Sequence, residues 1–275
     1  LSFIDLFEFS IFFLGLLAFI AGFIDSIVGG GGLIQVPALF VAFPNESPAT
    51  LFGTNKLASL GGTATAAKKY LATVRLPKLV LLLGGGCALV GSFLGAWAVT
   101  QISADFLRQS LPPLLIALLI FTLFNKSMGI EHRAFTFTSK EFLILIIGTL
   151  TIGFYDGFFG PGTGMFLMFL FVHFLRFDFI NGAAATKVIN CITNFAALAL
   201  FIPTGHISWG VAIWMMFFNI LGSFFGSRLA IAKGSLLVRK VFILVVVLLI
   251  LKTSNDSYHW LQLVTDKNLF HVKHY

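Results

Sequence analysis

The chain has 275 residues, of which 58% are hydrophobic, 15% aromatic and only 11% charged, against roughly 25% charged in an ordinary soluble domain. With 34 Phe against 18 basic and 11 acidic residues, there is too little polar surface to cover a soluble core, which excludes a soluble enzyme, a nucleic-acid binder and a secreted module. The net charge of +7 then has a membrane explanation, because Lys and Arg collect in cytoplasmic loops.

In chain order, the first apolar run, Phe9 to Ile24, follows Asp5 and Glu8 with no Lys or Arg. It lacks the basic region of a cleavable signal peptide and reads as a retained span. Apolar segments are predicted at 8–28, 31–43, 50–67, 79–100 and 106–124, then, after a cytoplasmic linker at 125–140, at 141–159, 162–175, 183–203, 208–227 and 236–252. A polar tail, 253–275, follows, with Tyr258 and Trp260 placed at the interface and His259, His271 and His274 read as solvated rather than metal-binding. The second segment of each set falls short of the roughly 20 residues a span needs. It is joined to the first by Gly29-Gly30-Gly31-Gly32 or by Gly160-Pro161-Gly162-Thr163-Gly164, so these pairs read as broken or re-entrant helices. The fold class is an all-α integral membrane protein, a polytopic helical bundle of about 8–10 transmembrane or re-entrant segments. Cys87 and Cys191 lie inside apolar runs and read as small buried hydrophobes.

The chain repeats itself at an offset of 131 residues. Gly22-Phe23-Ile24-Asp25 aligns with Gly153-Phe154-Tyr155-Asp156, Lys56 with Lys187, Gly91-x-x-x-Gly95 with Gly222-x-x-x-Gly226, and Arg108 with Arg239. So long a period points to duplication of a whole helical half, repeat 1 at about 8–124 and repeat 2 at about 141–252, rather than to a solenoid. With five segments per half, the second half is expected to insert upside down. Charge agrees: an outside N-terminus puts Lys68, Lys69, Arg75, Lys78, Lys126, Arg133, Lys140, Arg176, Arg228, Lys233, Arg239 and Lys240 on the inner side, as the positive-inside rule requires. Both termini are thus expected outside, in an inverted repeat.

Ionisable residues inside apolar segments cost roughly 2.5–3.5 kcal/mol each at the bilayer centre and mark function. There are four, Asp25, Lys56, Asp156 and Lys187, and they form two Asp/Lys sets related by the repeat. Ser59 and Thr63 follow Lys56 at i+3 and i+7, and Asn190 and Asn194 follow Lys187 in the same way, giving each helix a polar stripe on one face. Thr54, Asn55 and Thr186 extend the polar end. The glycines at 29–32, and Gly160, Gly162 and Thr163, let a ligand approach the backbone, and a half-helix starting there presents its positive end to an anion. Asp25 and Asp156 would neutralise the lysines when the site is empty, or carry protons. The runs lack the Gly-Lys-Ser/Thr ending of a nucleotide-binding loop. Gly91-x-x-x-Gly95, Gly222-x-x-x-Gly226 and Gly84-Gly85-Gly86 read as close helix packing, and Arg108 and Arg239 as interface anchors.

Gly22-Phe23-Ile24-Asp25-Ser26 running into Gly29–Gly32, then Thr54-Asn55-Lys56, Gly153-Phe154-Tyr155-Asp156-Gly157-Phe158-Phe159-Gly160-Pro161 and Lys187, resemble the TauE/SafE family of bacterial inner-membrane permeases, in particular its YfcA-like branch. That resemblance implies movement of sulfite, sulfonates or related organic anions. The resulting expectation is a secondary transporter for a small anion, proton-coupled in one form, in the bacterial inner membrane, with no enzymatic activity, metal, cofactor or nucleic-acid partner. An anion channel is the nearest variant. Tyr155-Asp156 is also similar to the Tyr-Asp of intramembrane aspartyl proteases, but no Gly-x-Gly-Asp surrounds Asp25 and a dyad leaves the lysines unexplained. A membrane assembly subunit would leave all four buried charges without a task.

Overall fold

The computed structural model describes residues 3–102, 106 and 138–234, with side chains in the first helix from residue 11 onward. The segments expected at 106–124 and 236–252, most of the linker, Arg108, Arg239 and the tail lie outside the described residues.

The helices are α1 (Phe3–Val28), α2 (Gly32–Ala42), α3 (Pro48–Leu71), α4 (Gly85–Thr100, entered through a π-helical turn at Val80–Gly84), α5 (Ser139–Phe158), α6 (Thr163–Phe169, continued by a π-helical turn at Leu170–Phe174), α7 (Phe179–Phe201) and α8 (Trp209–Lys233). Local chemistry sets their starts. Ser47 caps α3 by accepting from the Thr50 amide at 3.1 Å, with Pro48 at the first helical position, where its missing N–H costs nothing. Thr138 and Glu141 form a capping box on α5, and Asp178 accepts from the Ile180 and Asn181 amides at 2.8 and 2.9 Å to open α7. The end of α1 is set by Gly29 and Gly30, both at positive φ (87° and 97°), which other residues rarely adopt.

Among the described residues, five helices are long and apolar enough to cross a membrane: Ile11–Val28 within α1, Val80–Thr100, Ser139–Phe158, Phe179–Phe201 and Trp209–Lys233. Phe12, Leu82, Trp97, Trp209 and Phe217 are exposed on them, the outward apolar surface that lipid covers. The predicted segment 50–67 requires a correction. It forms α3, which is longer (24 residues) but too polar to qualify as a span by hydropathy. Its polarity is tolerated because α3 packs among α1, α7 and α8 rather than toward lipid. Helix α2 has 11 residues, about 16 Å at 1.5 Å per residue, roughly half the hydrocarbon thickness. Thr163–Phe174 is similarly short, so the second segment of each half is a half-helix.

Packing exchanges partners between the halves. Along α1 and α8, the Trp214 indole donates to the Ile11 carbonyl, the Asn219 amide to that of Ala18 and the Ser223 hydroxyl to that of Gly22, so the two helices run in the same direction. Gly22 sits against Asn219, and Gly222 and Gly226 sit against the Phe19 and Phe23 carbonyls. Helices α4 and α5 repeat this crossing at the equivalent positions: Gly91 and Gly95 against the Leu150 and Phe154 carbonyls, Gly153 against Ala88, and Gly157 against Ser92. The small-residue motifs are therefore helix crossings, as expected. Of the predicted Gly84-Gly85-Gly86 packing, Gly84 and Gly85 meet Leu145 and Ile192, but Gly86 faces open space. Cys87 and Cys191 are free and half-buried rather than buried.

Helix α3 also runs with α8, from the Ser208 amide on Thr54 to Lys69 on the Phe224 carbonyl. It runs against α7, since Gly53 meets Phe201 while Ala66 and Tyr70 share a cluster with Phe179 and Ala183. The C-terminal ends of α3 and α8 and the N-terminal ends of α4, α5 and α7 consequently lie at one end of the bundle. That end carries Lys68, Lys69, Arg75, Lys78, Lys140, Arg176, Arg228 and Lys233.

Candidate functional site

The two glycine turns meet at the centre of the bundle. A Cβ on Gly164 would lie 2.6 Å from the Gly29 Cα, and one on Gly32 would lie 3.2 Å from the Pro161 Cα, so neither turn tolerates a side chain at its crossing. Gly160 and Gly162 hold positive φ (89° and 83°), and Gly160 lies beside the Lys56 ammonium. Each turn has its own brace. Gly31 N–H donates to Asp25 Oδ1 at 3.2 Å, and Tyr155 O–H donates to the Pro161 carbonyl at 2.6 Å.

Against these turns stand α3 and α7 with their polar stripes. A small cavity of about 20 Å³ is lined by Asp25, Gly30, Gly32, Asn55, Lys56, Ser59, Thr63, Asp156, Gly160, Gly162, Thr163, Gly164, Asn190 and Asn194. It is large enough for one water-sized occupant, and its lining is polar side chains and glycine throughout. Both stripes predicted on helical spacing therefore face one space.

The four intramembrane charges, three of them buried and Asp25 partly exposed, pair across the halves. Lys56 Nζ lies 2.6 Å from Asp156 Oδ2, and Lys187 Nζ lies 2.8 Å from Asp25 Oδ2. Each lysine thus meets the aspartate of the other half, not the one in its own repeat. The pairs are equivalent under the 131-residue offset but differ in detail. Asp25 also accepts the Gly31 N–H, whereas Asp156 meets Lys56 at the shorter distance and accepts no backbone amide among the described residues. Each carboxylate faces an ammonium, which gives no support to an aspartyl dyad sharing a proton.

Of the residues expected at the site, Lys187, Gly29 and Gly31 do not line the cavity. Lys187 is fully buried behind Asp25, Gly29 forms the crossing and Gly31 binds Asp25. The open amides expected ahead of the first half-helix are largely engaged. Those of Leu33, Ile34 and Gln35 bond to Gly30 and Gly31 carbonyls and that of Gly31 to Asp25, so a carboxylate of the chain itself occupies the positive helix end.

Besides Gly164, which also lines the cavity, two polar residues outside the expected ligand set belong to the surroundings. Asn55 lines the cavity with an unpartnered Oδ1, and Gln35, fully buried on α2, accepts from Ser59 at 3.0 Å and leaves its Nε2 unpartnered. Asn55 is visible in the sequence as the polar neighbour of Lys56, but Gln35 is a lone amide in an apolar run and carries no periodic signal. Its register opposite Ser59 arises only on folding.

The family model described as Sulfite exporter TauE/SafE matches residues 14–253. The probable membrane transporter protein YfcA of Escherichia coli (strain K12) is 37% identical to the chain over 268 residues, covering 94% of this chain and 98% of that protein. The probable membrane transporter protein ORF9 of Sinorhizobium sp is 36% identical over 251 residues, 91% and 95% of the two chains. A probable membrane transporter protein of Haemophilus influenzae is 36% identical over 244 residues, 87% and 92%. No solved structure matches the chain. A match over nearly the whole length, joined to five membrane-length helices around a polar centre, makes this multi-pass membrane chain a member of the Sulfite exporter TauE/SafE family of membrane transporters.

Proposed function

We propose that the chain is a secondary transporter that carries a small anion through the central cavity, with sulfite and sulfonates as the first candidates on the family's description. The observation that carries this reading is the pair of buried lysine–aspartate contacts beside a cavity lined by polar groups and glycine. Buried ion pairs are poor devices for stability, because desolvation offsets most of their attraction. Their retention at the polar centre of an apolar bundle favours a working role. An incoming anion competes with a carboxylate for an ammonium, and the hydroxyls and amides of Ser59, Thr63, Asn190 and Asn194 supply further donors.

Formal charge suggests the coupling. Two lysines balance two aspartates, so a singly charged anion such as bisulfite or a sulfonate leaves one uncompensated negative charge in the bilayer interior, at a cost of several kcal/mol. A proton taken up on Asp25 or Asp156 with each anion removes that cost and frees a lysine. A cavity of about 20 Å³ has room for one water-sized occupant only, which favours a carrier that rearranges to take its anion over a continuously open channel.

The exchanged helix partners and opposed directions of α3 and α7 favour two inverted repeats about an in-plane axis through the site. The basic end of the bundle is then cytoplasmic, with the N- and C-termini outside. Proteoliposomes containing a trapped pH indicator test the coupling: an imposed sulfite gradient should carry protons in the same direction. Sulfite flux with no pH change rejects proton coupling, and failure to move sulfite or any sulfonate rejects the substrate class.

A further inference from the structure

The two ion pairs, equivalent in sequence, have unequal duties. Asp25 is engaged at both oxygens: Oδ1 accepts the Gly31 N–H at 3.2 Å and Oδ2 accepts from Lys187 at 2.8 Å. One carboxylate thereby ties the α1–α2 glycine turn to α7. Both lysines are buried, and Asp25 lines the cavity, but Lys187 reaches only this carboxylate and does not itself line the cavity.

The second half braces its turn differently. Tyr155 O–H holds the Pro161 carbonyl at 2.6 Å, whereas the position matching Tyr155 in the first half is Ile24, which has no hydroxyl to do so. Asp156 is thus relieved of holding a turn. Among the described residues its carboxylate accepts no backbone amide, and its partner is Lys56 at 2.6 Å. Lys56 and Asp156 both line the cavity, and Gly160, with no side chain, lies beside the ammonium.

We infer that the pairs divide the work: Lys56–Asp156 is the pair that separates to take the anion, and Lys187–Asp25 is a positioning pair that holds the glycine turn. This rests on the reading that the cavity takes an anion. A single ammonium then serves each bound anionic group, and the site is asymmetric although the two halves match.

The test begins with a Cys87→Ala, Cys191→Ala background. Two further proteins carry Lys56→Cys with Asp156→Asn, or Lys187→Cys with Asp25→Asn, so that neither leaves a buried charge unpaired. Both positions are buried, but a thiol at 56 lines the cavity and is reached whenever the cavity opens, whereas one at 187 lies behind it. Labelling in detergent with methanethiosulfonate ethylsulfonate, a small anionic thiol reagent, should therefore proceed at least about tenfold faster at position 56, since position 187 reacts only through further local unfolding. Equal rates, or faster labelling at 187, overturn the division.

Thermal unfolding of Lys56→Met with Asp156→Asn and of Lys187→Met with Asp25→Asn gives a second measurement that does not depend on labelling. The larger loss is expected for the second protein, and the reverse order overturns the positioning role. Failure of the transport reading shows itself differently: wild-type proteoliposomes would move no sulfur-35-labelled sulfite while the labelling difference persisted.

Discussion

Gly157→Ala is the sharpest test of how the helix crossings hold the site. A Cβ at Gly157 would lie 2.7 Å from the Ser92 carbonyl carbon and 2.8 Å from the Ala96 nitrogen, and closer still to the Ser92 oxygen. Ordinary contact begins near 3.4 Å, and the obstacle is helix backbone, which cannot swing aside as a side chain can. Helices α4 and α5 must therefore part by at least about 0.7 Å, an overpacking cost at the upper end of about 1–3 kcal/mol. Alanine returns about 1 kcal/mol through helix propensity, leaving a net loss of about 2 kcal/mol.

Gly86→Ala is the matched control. It lies on α4, but a Cβ there meets nothing within 4 Å, so only the propensity gain of about 1 kcal/mol remains. The two substitutions, identical in chemistry, should differ by about 3 kcal/mol in opposite directions about the wild type. Unfolding by dodecyl sulfate titration in mixed micelles reads the difference. A Gly157→Ala protein as stable as the wild type, or a Gly86→Ala protein equally destabilised, would refute the crossing geometry. Because Gly157 adjoins Asp156, the same substitution should also slow transport.

Three further outcomes are expected. Lys56→Met alone strands the Asp156 carboxylate in the interior and should cost about 3–5 kcal/mol, while Lys56→Met with Asp156→Leu should recover most of that loss, as buried pairs replaced whole usually do; a double-mutant cycle in the same micelles checks the coupling. Tyr155→Phe removes the 2.6 Å bond to the Pro161 carbonyl, and should cost about 1–3 kcal/mol for the unpaired group and lower flux by loosening the turn beside Lys56. With Cys87 and Cys191 removed, cysteines placed at Thr73 and Thr204, both exposed and at opposite ends of the bundle, should be labelled by an impermeant reagent from opposite faces of the membrane, position 204 from outside. Labelling of both from one face would contradict the parallel run of α3 and α8.

Much of this arrangement is legible in the sequence because charge is so scarce. Asp25, Lys56, Asp156 and Lys187 stand out against apolar runs, and their common offset marks them as one system. The stripes Ser59/Thr63 and Asn190/Asn194 are legible from helical spacing alone. Which aspartate meets which lysine is not. A repeat offset establishes equivalence, and two equivalent sets can pair within halves or across them with the same sequence. The choice is made by packing, where α1 leaves its own half for α8 and α5 leaves its own for α4. The enclosed place of the polar helix α3 is hidden from the sequence for a related reason: hydropathy measures lipid compatibility, and a helix enclosed by α1, α7 and α8 is not obliged to have it. The brace by Tyr155, and its absence at Ile24, likewise depend on three-dimensional partners.

If the anion binds where Lys56 meets Asp156, sulfite flux into proteoliposomes must depend on that contact. Lys56→Gln and Asp156→Asn, each shown by gel filtration to be folded, are compared with the wild type under one imposed sulfite gradient. Lys56→Gln should abolish flux by removing the ammonium that faces the cavity. Asp156→Asn should keep binding but lose the response to a pH gradient. A folded Lys56→Gln protein that moves sulfite at the wild-type rate would contradict the account.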